Sequence, residues 1–296
     1  MSACISAVSI DRSDSWVALQ TDLSMSSSIM MHHADLLTRF VSSEQFVTCV
    51  RDALEQMASV EDSIVTTPDG SIVLFRDANF TIVLSMERPP ERFVDGFQPD
   101  TITSPIGAGL MCLVSEIENV EVTYYDLPAG LDFAVFDEDL QLPCPTVQLL
   151  ERYQAFYFHP RKPFEMNAHG RSYVMATLFE NRSEDFQWVF DCKSGTTLFQ
   201  VSCSTEASRT ETLLLLLERL TGDRIPEATA IHAFAALSHH PHHFVRWRAV
   251  QGLGELNGDL ALKRLREMTT DCHPHIREAA SEICEQHIGA EAAHGL

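Results

Sequence analysis

Long apolar runs are missing from this chain. The longest strictly apolar stretches, Leu110–Val114 and Leu213–Leu217, hold five residues each, against about 20 for a membrane-spanning helix. Basic side chains are scarce as well. Lys and Arg total 21 beside 42 Asp and Glu, a net charge of −21, and such a field repels phosphate backbones, so no nucleic-acid partner is expected. No membrane partner is expected either. The eight cysteines form no C-x-x-C, which removes the simplest zinc and thiol-redox signatures. No basic stretch precedes the first apolar residues, so a secretory signal is not expected and the thiols are read as reduced, in a cytoplasmic protein. Several catalytic motifs are absent too: H-E-x-x-H, G-x-S-x-G, the Walker loop and G-x-G-x-x-G.

What is present is a change of period along 296 residues, a length that suits two domains. We read 1–60 as a leader and one amphipathic helix. Residues 1–41 are rich in Ser and Met and are expected to be poorly ordered or to pack at an edge. Ser42 and Gln45 fit a capping box, followed by Phe46, Val47, Val50, Ala53, Leu54 and Met57 at helical spacing. Over 61–207 the period falls to 2. Thr67-Pro68-Asp69-Gly70 and Arg76-Asp77-Ala78-Asn79 read as turns, and strands are expected at Phe80–Met86, Leu110–Val114, Val120–Tyr125, Leu131–Phe136, Tyr153–Phe158, Tyr173–Phe179, Phe186–Phe190 and Thr197–Cys203. Many short strands at this spacing imply a sandwich or small barrel. From 208 to 296 the period returns to 3.6, beginning with a Leu-rich helix at Thr212–Leu220 that is too apolar to stand alone in water.

The last segment repeats itself. His243-Phe244-Val245-Arg246-Trp247-Arg248-Ala249 aligns with Pro274-His275-Ile276-Arg277-Glu278-Ala279-Ala280 at a period of 31, each behind another helix, Pro226–Leu237 and Leu260–Met268. A Pro-containing turn, then Val or Ile with Arg, then a small residue resembles HEAT-type repeats, most of all the short subtype of phycobilisome lyases. The resemblance covers 226–287. It implies stacked helix pairs, with the Arg of one turn bonding carbonyls or an Asp of the next unit; Asp271 is placed for that role.

Two clusters carry candidate chemistry. The turns of the two repeats contain His239, His240, His242 and His243, and then Cys272, His273 and His275. Stacked turns would bring these imidazoles and the thiol to one edge, a donor set suited to a divalent transition metal. Inside the β region Arg152, His159, Arg161, Lys162, His169 and Arg171 form a local positive cluster, a candidate site for a small anionic ligand such as a carboxylate or phosphate. The β region also resembles a cupin. His159, Glu165 and His169, with Leu127-Pro128-Ala129-Gly130 as a cupin-like turn, are the pieces that resemblance would use for a metal. The His-x-His pair followed closely by Glu that the motif needs does not occur there.

These observations lead to an α+β fold: a central antiparallel β-sandwich or barrel, cupin-like, with a C-terminal α-helical HEAT-like segment. The expected function is a non-enzymatic ligand sensor or adaptor that binds no cofactor, with another protein docked on the C-terminal repeats. The alternative is a metal-dependent cupin-type enzyme whose site lies in the β domain.

Overall fold

The computed structural model describes residues 14–26, 31, 33–59, 71–87, 101–117, 120–181 and 184–294. The chain divides into two compact units, Met1–Cys203 and Ser204–Leu296. Both α and β elements are present and all the paired strands are antiparallel. The turn expected at Thr67–Gly70 lies outside the described residues.

The first unit opens with three helices, α1 (Asp14–Met25), α2 (His33–Val41) and α3 (Glu44–Ser59). Within the Ser- and Met-rich leader, Asp14–Met25 and His33–Val41 are helical. Its apolar residues find a sheet to cover: Trp16, Leu19, Leu23, Leu37 and Phe40 are buried together with Leu74, Ile82, Leu110 and Leu178. The cap of α3 sits one residue later than expected, with Ser43 Oγ accepting from Phe46 N at 3.4 Å. Gln45 serves α1 instead, its Oε1 accepting from Ser15 Oγ at 2.8 Å and Trp16 N at 3.3 Å, which satisfies an otherwise orphaned helix-start donor.

Eleven strands follow among the described residues: β1 (Ile72–Arg76), β2 (Phe80–Glu87), β3 (Thr101–Thr103), β4 (Gly109–Leu113), β5 (Val120–Tyr124), β6 (Thr146–Leu150), β7 (Ala155–Phe158), β8 (Phe164–Asn167), β9 (Tyr173–Glu180), β10 (Phe186–Asp191) and β11 (Thr197–Ser202). They form a five-stranded sheet in the order β1-β2-β9-β4-β7 and two three-stranded sheets, β11-β10-β3 and β6-β5-β8. No closed barrel forms among the described residues. The five-stranded sheet is buried on both faces. Leu110 and Cys112 join the helical core, while Met111 and Leu113 pack on the other side with Val120, Val122, Leu150, Phe156 and Met175. That double burial is why β4 reads as an unbroken apolar run rather than an alternating one.

Leu131–Phe136 is a loop, not a strand. Side chains satisfy its backbone: Asp132 Oδ1 accepts from Ala134 N at 2.9 Å, and Arg161 Nη1 donates to the carbonyls of Pro128 and Leu131 at 3.0 and 2.8 Å. Its apolar residues roof the three-stranded sheet of β10, where Phe133 packs with Trp188 and Phe190 and the Phe133 carbonyl accepts from Trp188 Nε1 at 3.2 Å. The β10–β11 hairpin closes as its sequence requires, with Asp191 Oδ1 accepting from the amides of Lys193 and Ser194 and Gly195 at φ +70°.

The second unit is helical: α4 (Thr205–Leu220), α5 (Glu227–Leu237), α6 (His243–Leu256), α7 (Gly258–Met268) and α8 (Pro274–His294). Ser204 caps α4, its side chain accepting from Ala207 N. The Leu run of α4 is only partly covered; Leu214 is buried, whereas Leu213, Leu215 and Leu216 are exposed. Phe234 of α5 lies so close to Gly252 of α6 that a Cβ there would meet ring atoms at 2.6 and 2.7 Å, so glycine sets the approach of these helices. Between the helix pairs, Arg246 makes a bidentate pair with Asp271, at 3.0 Å from Nε and 2.5 Å from Nη2, and its Nη1 donates to the carbonyls of His240 and Pro241. Arg277 repeats the carbonyl half of this pattern on Asp271 and Cys272.

Candidate functional site

The basic residues of the β region occupy one unit but not one pocket. Arg152 pairs with Glu116 at 2.6 Å and lies 4.5 Å from the Tyr153 ring centroid. Arg161 is held by the two carbonyls of the 128–131 loop. Lys162 Nζ sits 3.8 Å from Asp126 and 4.3 Å from the Tyr124 ring centroid. His169, at φ +53°, has Nε2 3.8 Å from Glu121, and Arg171 Nε donates to the Ala168 carbonyl at 3.2 Å. His159 Nδ1 accepts from Arg161 N at 3.2 Å; burial, with Lys162 beside it, holds this imidazole below its ordinary pKa against the opposing pull of Asp126. The turn 159–162 therefore brings His159, Arg161 and Lys162 together, while Arg152, His169 and Arg171 meet other partners. Of the six, Arg161 lines a cavity of about 420 Å³, and there it is accompanied by Asp132, Glu184 and Asp185.

The three side chains drawn from the cupin resemblance also part. Glu165 Oε2 lies 3.8 Å from Cys192 Sγ, whereas His159 and His169 have the partners just given. In the second unit His243 and His273 stack with ring centroids 3.7 Å apart and planes at 16°, His273 and His275 lie at 5.3 Å, and His240 and His242 at 5.6 Å. Metal ligation uses in-plane nitrogen lone pairs aimed at one point, and face-to-face rings do not supply that. Among the described residues no group of three or more His, Cys, Asp or Glu side chains is disposed to hold a metal ion.

The stacked pair has a consequence for stability. Burial, together with His273, Arg246 and His275, holds the His243 imidazole at about 4 against 6.5 ordinarily, with Asp271 opposing. An unfolded chain binds this proton near pH 6.5 and the folded chain only near 4, so unfolding takes up a proton in between. The contribution is complete above pH 6.5 and is lost as the pH falls toward 4, about 2 kcal/mol between pH 7 and pH 5. We expect urea denaturation of the full chain to show that loss in the helical unit and His243→Phe, which keeps a stacking ring, to remove most of it. An unchanged pH slope in the variant would refute the assignment.

A second cavity, of about 620 Å³, went unread in the sequence. Three sheets contribute to it: Thr103 of β3 and Pro105, Ile106 and Gly107 just after it, Phe158 of β7, Phe164 of β8, Phe179 and Glu180 of β9, Asn181, and Gln187 of β10. The Phe158 and Phe164 rings are 5.5 Å apart between centroids and inclined at 44°. Gly109, next to Phe158 in register, lacks the Cβ that would meet the Phe158 ring at 2.8 Å and the Leu178 carbonyl at 2.7 Å. Asn181 is engaged at both ends of its amide, with Oδ1 accepting from Thr81 Oγ1 at 2.5 Å and Nδ2 donating to the Asp77 carbonyl at 2.8 Å. Gln187 Nε2 donates to the Ser104 carbonyl at 2.8 Å. Neighbouring Tyr157 has its phenol raised above the ordinary value by burial and by the charge of Glu180. Volume and lining match those of small-molecule sites in general. Alternation alone signals inward rings, but no local pattern says that rings from separate sheets meet.

No family model matches the chain, and no curated protein matches it. Among solved structures it is similar to a hydroquinone 1,2-dioxygenase from Sphingomonas sp. TTNP3 with 4-hydroxybenzoate bound, at 12% identity over 42% of this chain and 72% of that one, TM-score 0.27. It is similar to a hydroquinone 1,2-dioxygenase in complex with Cd²⁺ and 4-hydroxybenzonitrile, at 12% identity over 49% and 76%, TM-score 0.24. DMSP lyases match at 14% identity over 54% and 77%, TM-score 0.27. The expectation of a non-enzymatic sensor or adaptor without a cofactor is corrected to this extent: the matched proteins are enzymes, one of them in complex with Cd²⁺, and none is a sensor or adaptor. At these scores they carry neither residue roles nor substrates to this chain. The donors described above do not form a metal site, so no chemical step is routed through one.

Proposed function

We propose that the β-rich unit is a cupin-type enzyme that takes a small, mainly apolar molecule into the 620 Å³ cavity. The observation that carries this reading is the convergence of Phe158, Phe164 and Phe179 on a partly open, mainly apolar cleft. Desolvation there strengthens any electrostatic contact made with a bound molecule. Glu180 is the ionisable residue of that lining, and proton transfer to or from the bound molecule is assigned to it. We read the helical unit as a HEAT-type pair of repeats, on the support of the Arg246–Asp271 bond that links one turn to the next.

The test is conversion rather than binding. Full-length protein is incubated with a fractionated small-molecule extract and the mixture followed by mass spectrometry, with Glu180→Gln in parallel. At least one compound is expected to be consumed by the wild type and spared by the variant, with a loss of about a hundredfold or more in rate. Consumption of nothing, or equal consumption by both proteins, defeats the reading.

A further inference from the structure

Among the described residues lining the 620 Å³ cavity there is no Lys, Arg or His, and the residues before Ala207 hold 30 acidic groups against 12 basic ones. An anion entering this space would give up part of its hydration beside the Glu180 carboxylate, with no cation among those residues to receive it. The polar groups narrow the choice further. Both ends of the Asn181 amide are already engaged, and Gln187 turns Nε2 to the Ser104 carbonyl. The opposite end of the Gln187 amide is its carbonyl oxygen, an acceptor. Thr103 and Gln187 belong to neighbouring strands of one sheet, and Thr103 lies directly opposite Val189, two residues from Gln187 on the same face. Glu180, the proton-transfer group of the reading above, adds one carboxylate to the lining, and the remainder is ring and aliphatic surface, with Phe158 packed against Gly109.

Resting on the cavity reading given above, we propose that the bound molecule is an uncharged arene carrying one hydrogen-bond donor, a hydroxyl or amino group, whose ring packs among Phe158, Phe164 and Phe179 and whose donor is received by Gln187 Oε1. Aromatic surfaces favour offset or edge-on partners of their own kind. A site that uses a buried acceptor discriminates sharply against the analogue lacking the donor, because the acceptor is then left dry and unpaired.

Three probes of one shape test this on the full chain by calorimetry: 2-naphthol, 2-methoxynaphthalene and 2-naphthoate. The expected order is 2-naphthol first, 2-methoxynaphthalene about tenfold weaker, and 2-naphthoate without measurable binding. Gln187→Leu is expected to erase the preference for 2-naphthol over its methyl ether. Ile106→Trp, at an exposed position of the lining, is expected to fill the space and abolish binding of both. Equal affinity for 2-naphthol and its ether, or binding of 2-naphthoate as tight as either, overturns the ligand class, while binding that is lost in Ile106→Trp leaves the cavity reading intact. Failure of all three probes to bind, or binding indifferent to Ile106→Trp, overturns both. The comparison of probes on the wild-type chain decides even if Gln187→Leu fails to fold.

Discussion

Arg246→Ala is expected to destabilise the helical unit by about 3–5 kcal/mol, the range for breaking one side of a buried ion pair. Both side chains of the Arg246–Asp271 pair are only 7% exposed, so truncation leaves a carboxylate in a poor dielectric. It also strips the carbonyls of His240 and Pro241 of their donor. Burial by itself pushes the Asp271 carboxyl up, but the bonds from Arg246 and the His273 amide outweigh it and hold the pKa below the ordinary value. Asp271 therefore contributes stability above the usual carboxylate range, and that contribution disappears as the pH falls through its lowered value. Replacing both partners together, Arg246→Met with Asp271→Leu, is expected to restore most of the lost stability, because apolar groups of similar volume carry no desolvation debt. Chemical denaturation monitored through Trp247, on the same helix as Arg246, reads the difference. If the single variant lost under 1 kcal/mol, the pair would not be what joins the two turns.

The second large effect belongs to the β-rich unit. Gly109→Ala is expected to lower its stability by about 1–3 kcal/mol, as overpacking does, and to abolish 2-naphthol binding. The added methyl has two neighbours it cannot share space with. The Leu178 carbonyl is backbone in the same sheet and cannot move away, so the Phe158 ring must, and that ring is a wall of the cavity. The coupling of the two readouts is the informative part. A variant that loses stability yet binds 2-naphthol unchanged would show that Phe158 does not shape the site. Phe158→Leu combined with Gly109→Ala should recover part of the stability without recovering binding, since the ring clash is relieved, the Leu178 carbonyl contact remains and the aromatic wall is gone.

How much of this molecule is legible in one dimension differs from element to element. Strands β2, β9 and β10 announce themselves by β-branched and aromatic residues between turn signals, although β2 and β9 lie in a sheet covered on both faces. In β10, Phe186, Trp188 and Phe190 share a face as the two-residue period demands. The Leu131–Phe136 segment carries the same apolar content and is a loop, because Asp132 and Arg161 satisfy its backbone in place of a neighbouring strand. The leader left two readings open, poor order or packing at an edge, and Trp16, Leu19 and Leu23 recur at helical spacing and become a helix face once a sheet lies beneath them. The basic cluster was visible as composition, but only His159, Arg161 and Lys162 come together, in one turn, while Arg152, His169 and Arg171 meet Glu116, Glu121 and a backbone carbonyl. The histidines were visible as a motif, but their rings stack.

Local rules determined the change of period and the turn of the β10–β11 hairpin, since each depends on residues within one element or one turn. Only the tertiary structure decided that the eleven strands of the described residues divide into three sheets and that Phe158, Phe164, Phe179 and Gln187 line a common space. Those residues are brought together by pairings between strands far apart in sequence, which are selected by the packing of whole faces and leave no trace in the spacing of any single segment.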